Sequence, residues 1–126
     1  MLANPASIIL CDSVSAYAGF PNNTIYVASK AALPSLARTL SRELIGRGVR
    51  VNGLVPGATD AAALVKLGLA PDQEAALRDQ IRGSVPLGRM AHPSELARAA
   101  LFLASEDSSF VVGSEVVADG GSSNLG

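Results

Sequence analysis

Tyr26 and Lys30 stand four residues apart in the run Tyr-Val-Ala-Ser-Lys. On a helix that spacing brings both side chains to one face, a turn apart. A free phenol, with a pKa of about 10, is a poor proton donor or acceptor at neutral pH unless a nearby cation stabilises its phenolate. Lys30 is placed to be that cation. Upstream, Ser13 closes a short apolar run, where its hydroxyl could hydrogen-bond a substrate oxygen. Each signal is weak alone, because surface pairs at this spacing are common and a lone serine after a strand is more often a turn residue.

The elements that would carry these side chains follow from pattern. Residues 7–11 are apolar and β-branched, as in a strand buried on both faces, and Asp12 and Ser13 end it. Residues 14–24 form a loop rich in turn formers: Gly19, Pro21, Asn22 and Asn23. From 25 to 45 the period is helical, with Leu33, Leu36, Ala37, Leu40 and Leu44 on one stripe. Pro34 predicts a kink or a distorted turn there, at a cost of about 3 kcal/mol unless the surroundings adapt. Gly46 and Gly48 close the helix, and residues 49–55 form a Val-rich strand. This glycine pair follows a helix and opens a strand, the reverse of a nucleotide-binding loop.

Residues 58–88 are rich in Ala, Leu and Gln, with helical segments expected around 61–67 and 72–81, and read as a lid or substrate-side loop. Pro93 opens a further helix with Glu95 in its first turn and a stripe of Leu96, Ala99, Ala100 and Leu103. Residues 114–119 form a last strand, closed by Gly120 and Gly121. The order implies right-handed crossovers and an α/β fold of three parallel strands with packing helices. Ligands bind beyond the carboxyl ends of such strands. Asp12-Ser13, the run Pro56-Gly57-Ala58-Thr59-Asp60, and Asp119-Gly120-Gly121 occupy those three positions.

Composition narrows the partners. A hydrophobic fraction of 48% over 126 residues fills a real core. Ten basic against 11 acidic residues leave no footprint for nucleic acid or an anionic membrane, so a small-molecule substrate is expected. The single cysteine, Cys11, and single histidine, His92, exclude an internal disulfide framework and leave no zinc-ligand cluster, so no metal is expected. The chain opens without a basic signal segment or an apolar run long enough to span a membrane, so a cytoplasmic location is expected. No G-x-S-x-G elbow supports a hydrolase.

Several motifs stand in register: Ser13 thirteen residues before Tyr26, YVASK at 26–30, VRVNGLVPG at 49–57, PLGRM at 86–90, and VVGSEVVADGG at 111–121. Through them the chain resembles the short-chain dehydrogenase/reductases, of the branch that includes the 3-oxoacyl carrier-protein reductases. The resemblance implies the carboxyl-terminal half of a Rossmann-type, doubly wound parallel sheet. It implies an oxidoreductase moving a hydride between NAD or NADP and a small carbonyl compound or secondary alcohol, working as a homo-oligomer, dimer or tetramer.

On the same resemblance, Tyr26 is the general acid in reduction and the base in oxidation, and Ser13 holds the substrate oxygen. Ser15 competes for that role, though the spacing to Tyr26 favours Ser13. Lys30 would lower the Tyr26 pKa and, with Tyr26, contact the nicotinamide ribose. Pro56, Gly57 and the backbone at Thr59 would face the nicotinamide. Ala61 stands where the family usually has a cofactor-contacting threonine. The family's glycine-rich turn, its NAD-or-NADP selector and its catalytic asparagine would lie upstream of residue 1. Residues 1–5 would match the end of the helix before the family's fifth strand, and the strand at 7–11 would show an unpaired edge. The chain alone is therefore expected to bind NAD(P) poorly and to be inactive. A catalytically silent interaction module is the alternative.

Overall fold

The computed structural model describes residues 5–125, so most of the segment expected to match an upstream helix end lies outside the described residues. Three strands, β1 (Ala6–Cys11), β2 (Val49–Pro56) and β3 (Glu115–Ala118), form one parallel sheet in the order β1-β2-β3. Ile8 pairs with Val51 across the first ladder, and Gly53 with Glu115 across the second. β2 lies in the middle, and Val49, Val51, Asn52, Gly53, Leu54 and Val55 are all buried. A strand covered on both faces is mostly apolar, and its buried polar side chain, Asn52, is hydrogen-bonded.

Two consecutive helices stand where one helix with a kink or a distorted turn was expected, and the second packs on the sheet. α1 (Thr24–Ala31) and α2 (Leu33–Leu44) are divided at Ala32. Backbone bonding continues across the division, Ala32 N to Ala28 O at 3.3 Å and Leu36 N to Ala32 O at 3.0 Å. The division places Pro34 in the first turn of α2, where a missing N–H leaves no helical bond unmade, so the expected penalty is largely avoided. The stripe is corrected in one position. Leu36 is exposed, and Ser41 is buried with its hydroxyl on Val51 O at 2.8 Å. Ala37 packs with Val49 and Val51, flanked by Ile8, Leu10, Leu40 and Leu44. Burying each such valine contributes about 1.5–3 kcal/mol. A 3-10 turn, Ile45–Arg47, then leads to Gly48, whose φ of 69° permits the left-handed turn into β2.

Between β2 and β3 lie α3 (Ala62–Val65), α4 (Pro71–Ser84) and α5 (Pro93–Ala104), near the expected ranges. α5 packs against β1, and Leu103 is fully buried. His92 is its N-cap, with Nδ1 accepting from Ser94 N at 3.2 Å, while Glu95 accepts from His92 N at 2.8 Å. Polar side chains of β2 secure the far end of this layer. Arg50 donates to Leu103 O, Ser105 O, Ser108 Oγ and Val111 O, and Asn52 bridges Val111 O and Ser114 N. No helix among the described residues is long and apolar enough to cross a membrane, and no group of His, Cys, Asp or Glu among them is placed to hold a metal.

Candidate active site

Beyond Cys11 the chain stays in the ladder for one more bond, Asp12 N to Leu54 O at 2.8 Å, then enters a 3-10 turn, Val14–Tyr17. Ser13 caps that turn. Its Oγ accepts from Ser15 N at 3.2 Å and from Ser15 Oγ at 2.9 Å. Asp12 is buried. Its Oδ1 accepts from Ser13 N at 2.7 Å, and its Oδ2 has no partner among the described residues. Burial pushes its pKa up, the Ser13 amide opposes this, and Glu115 adds to the rise while Lys30 reduces it.

A loop with Asn22 at φ 64° returns the chain, and α1 starts at Thr24, so Tyr26 falls in its first turn. Ser13, Ser15, Tyr26, Pro56 and Gly57 line one cavity of about 580 Å³, into which Ile81 from α4 also reaches. The Tyr26 hydroxyl has no hydrogen-bond partner among the described residues, and the side chain is half exposed. Lys30 Nζ lies 5.8 Å from the Tyr26 ring centroid and donates to Cys11 O at 2.8 Å. That bond ties the helix carrying Tyr26 to the strand end carrying Ser13.

The chain's other tyrosine is differently placed. Tyr17 donates its hydroxyl to Glu115, and burial, followed by that bond, pushes its pKa well above the ordinary phenol value. A phenol already donating to a carboxylate is unsuited to giving its proton to a substrate.

Facing Tyr26 is the end of β2. Gly57 N donates to Ala118 O at 3.0 Å, and a Cβ at this position would lie 2.5 Å from Asp119 Cα, so only glycine lets the two strand ends approach this closely. Asp119 organises the last turn: Oδ1 accepts from Gly121 N at 2.8 Å, and Oδ2 from Ser123 N at 2.7 Å and Ser123 Oγ. Burial raises its pKa, but these donors outweigh it and hold the carboxyl below its ordinary value. Thr59 lies outside the cavity lining. Its hydroxyl donates to Gly57 O at 3.0 Å, and its backbone forms a bridge with Ala91. Arg78 of α4 pairs with Glu74 at 2.9 Å and with Asp60, so α4 is tethered to the segment after β2.

The structure thus brings Ser13, Tyr26, Pro56 and Gly57 around one space, with Lys30 beside it and Thr59 behind its wall. Reasoning from sequence did not reveal the Ser15 hydroxyl on Ser13 or the contribution of Ile81 and Ser84. For Ser15 the signal was present, since a serine two residues after a capping serine is within reach of its oxygen.

Known proteins resemble this chain in sequence and fold. The sequence profile of a family described as Enoyl-(Acyl carrier protein) reductase matches residues 1–123. The chain is 37% identical over 123 residues to an uncharacterised oxidoreductase of Bacillus subtilis, covering 96% of this chain and 45% of that protein. It is 39% identical over 115 residues to a 3-oxoacyl-[acyl-carrier-protein] reductase of Thermotoga maritima, covering 91% of this chain and 44% of that one. A solved short chain dehydrogenase/reductase family protein aligns at 42% identity and a TM-score of 0.77, over 93% of this chain and 45% of that chain. Ligand-free aldohexose dehydrogenase of Thermoplasma acidophilum aligns at 29% identity and a TM-score of 0.86, over 96% and 49%. The chain spans about half the length of the relatives it matches.

Proposed function

This chain belongs to the short-chain dehydrogenase/reductase family, and we propose that it supplies the proton-transfer side of an NAD(P)-dependent oxidoreductase acting on a small carbonyl compound or secondary alcohol. The observation that carries this reading is the meeting of Ser13 and an unengaged Tyr26 hydroxyl on one cavity, opposite the glycine-lined end of β2.

In carbonyl reduction, Ser13 donates a hydrogen bond to the substrate oxygen, and Tyr26 gives its proton to that oxygen as negative charge grows there. In alcohol oxidation Tyr26 takes the proton back. Lys30, its ammonium 5.8 Å from the centre of the Tyr26 ring, ties the helix that carries Tyr26 to the strand end that carries Ser13. When bound, NAD(P) supplies or accepts the hydride at the substrate carbon. The residues present suit its nicotinamide end. Pro56 and Gly57 form the wall, Gly57 without a side chain, and Thr59 is bonded to Gly57 O, while Tyr26 and Lys30 are the groups for the ribose hydroxyls. Nothing favours NAD over NADP.

No glycine-rich turn between a strand and a helix occurs among the described residues, so the isolated chain is expected to bind whole NAD(P) weakly and to turn over nothing. Detectable NAD(P)H oxidation by the purified chain with a small ketone overturns that expectation. In the protein extended to its relatives' length, Tyr26→Phe should abolish ketone reduction and Tyr17→Phe should retain it. Near-normal turnover by Tyr26→Phe rules out the assignment.

A second reading concerns association. α1 buries none of its residues within one copy, and Ile25 is 87% exposed. With the whole of α1 unburied, we infer that a second copy of the chain covers this face. Light scattering across a concentration series tests it, and a constant monomer mass counts against it.

A further inference from the structure

Building on the reduction assigned to Tyr26, we propose that Ser15 is a positioning residue that fixes Ser13 as a hydrogen-bond donor to the substrate oxygen. A serine hydroxyl has one proton to give and two lone pairs to fill. Ser13 Oγ lies 3.2 Å from Ser15 N and 2.9 Å from Ser15 Oγ. An amide nitrogen only donates, so the first contact occupies one lone pair of Ser13.

The second contact joins two hydroxyls, and burial decides its direction. Ser15 borders the cavity yet is only 7% exposed, and Ser13 Oγ is the one partner of its hydroxyl among the described residues. If Ser13 donated to it, the Ser15 proton would be largely shut off from water without an acceptor, which is the costly arrangement for a buried donor. With Ser15 donating, both lone pairs of Ser13 are filled. The Ser13 proton is then its only remaining function, and the cavity shared with Tyr26 is where it is free to point.

A hydroxyl fixed in this sense suits an oxygen that accepts, such as a ketone or the alkoxide developing from it. It also refuses one unproductive pose. An alcohol cannot hand its proton to Ser13, so its O–H must turn to Tyr26, the group that removes it. Ser15 therefore acts through Ser13, on the chemical step more than on binding. Ser15→Ala deletes only the hydroxyl, while its backbone amide continues to cap the turn. That separates positioning from turn stability.

The test is a cycle in the protein extended to its relatives' length. Ser15→Ala should lower kcat for ketone reduction by about three- to tenfold, the effect of one ordinary hydrogen bond, with KM changed by less than about twofold. Ser15→Thr, which keeps a hydroxyl, should recover most of the loss. In a Ser13→Ala background, Ser15→Ala should change nothing further. A second readout needs no turnover: in the isotope-edited infrared spectrum of bound acetophenone, the carbonyl downshift should shrink in Ser13→Ala and, by a smaller amount, in Ser15→Ala.

Equal losses from Ser15→Ala in both backgrounds, or a carbonyl band that Ser13→Ala moves and Ser15→Ala does not, overturn the proposal. If the unsubstituted protein neither reduces nor binds the ketone, the reading of the whole site fails. That failure is seen before Ser15 is altered, so the two results are distinguishable.

Discussion

Gly57→Ala probes how closely the ends of β2 and β3 must approach to shape the cavity wall. The added Cβ would lie 2.5 Å from Asp119 Cα, 2.7 Å from Asp119 Cβ and 3.1 Å from Asp119 O. Carbon atoms rest in contact at about 3.5–4.0 Å, so one backbone must retreat by roughly 1 Å. Asp119 is poorly able to yield, because its carboxylate is held by Gly121 N and by Ser123. Gly57 is not among the glycines at positive φ, so alanine meets no backbone strain and the effect is steric. Overpacking costs about 1–3 kcal/mol, and weakening the bond from Gly57 N to Ala118 O adds up to about 1 kcal/mol. Reduced freedom of the unfolded chain returns about 0.4–1 kcal/mol. The net loss is about 2 kcal/mol, a fall in Tm on the order of 5–10 °C for a chain of this size. Circular dichroism melts and urea titrations measure it. Gly19→Ala is the control, since nothing lies within 4 Å of its Cβ. If the two variants melt alike, the close-approach argument is wrong.

Glu95 is held at about 2 by its bonds to Arg89 and by the His92 amide. Its stabilisation is present above the unfolded carboxylate range and is lost as pH falls through that range toward about 2, so Glu95→Gln should flatten the acid limb of a urea-midpoint profile; an unchanged limb contradicts this. Asp12 has the opposite sign. Its folded pKa is raised, so stability falls as pH rises from the ordinary aspartate range through the folded value. Asp12→Asn keeps the acceptor for Ser13 N and should gain on the parent as pH rises, whereas a pH-independent difference counts against the assignment. Asn52→Ala strips partners from Val111 O and Ser114 N and should cost about 2 kcal/mol or more in urea unfolding, and a loss below about 0.5 kcal/mol would refute that role.

The sheet was legible because its central strand is buried on both faces, and such a strand is rich in Val and Leu. The Tyr26–Lys30 pairing was legible because helical geometry alone fixes it. Pro34 was read as a kink or a distorted turn in one helix; the chain divides the helix at Ala32, which puts the proline in a first turn, where it costs little. Leu36 was placed on the buried stripe by period, although the sheet beneath offers Val51 O as a partner for Ser41 instead. Asn52 and Arg50 were read only as members of a strand. Their partners lie more than 50 residues away, beyond the reach of any local pattern, yet a polar residue in an otherwise buried strand signals that such partners exist. The lining by Ile81 and Ser84 depends on how α4 is tethered through Arg78, which its weak amphipathic pattern does not encode.

Ser13 and Lys30 each carry a structural duty beside the proposed chemical one. Ser13 accepts two bonds that cap the turn after β1, and losing a cap costs about 1 kcal/mol by itself. Lys30 donates a hydrogen bond to Cys11 O from the last turn of α1, and that bond ties the helix carrying Tyr26 to the strand end carrying Ser13. Inactivity after removing either side chain therefore mixes lost chemistry with lost geometry. The two are separable because the bonds differ in kind. The Ser13 cap needs only an oxygen acceptor, which threonine retains, whereas its donation into the cavity also needs the proton oriented by Ser15. The Lys30 clamp needs only a donor within reach of the Cys11 carbonyl, whereas the proposed contact with the ribose hydroxyls needs a donor on the cavity side. The site is built so that the groups proposed to move and hold protons also set the distance between the strand end and the helix on which they ride.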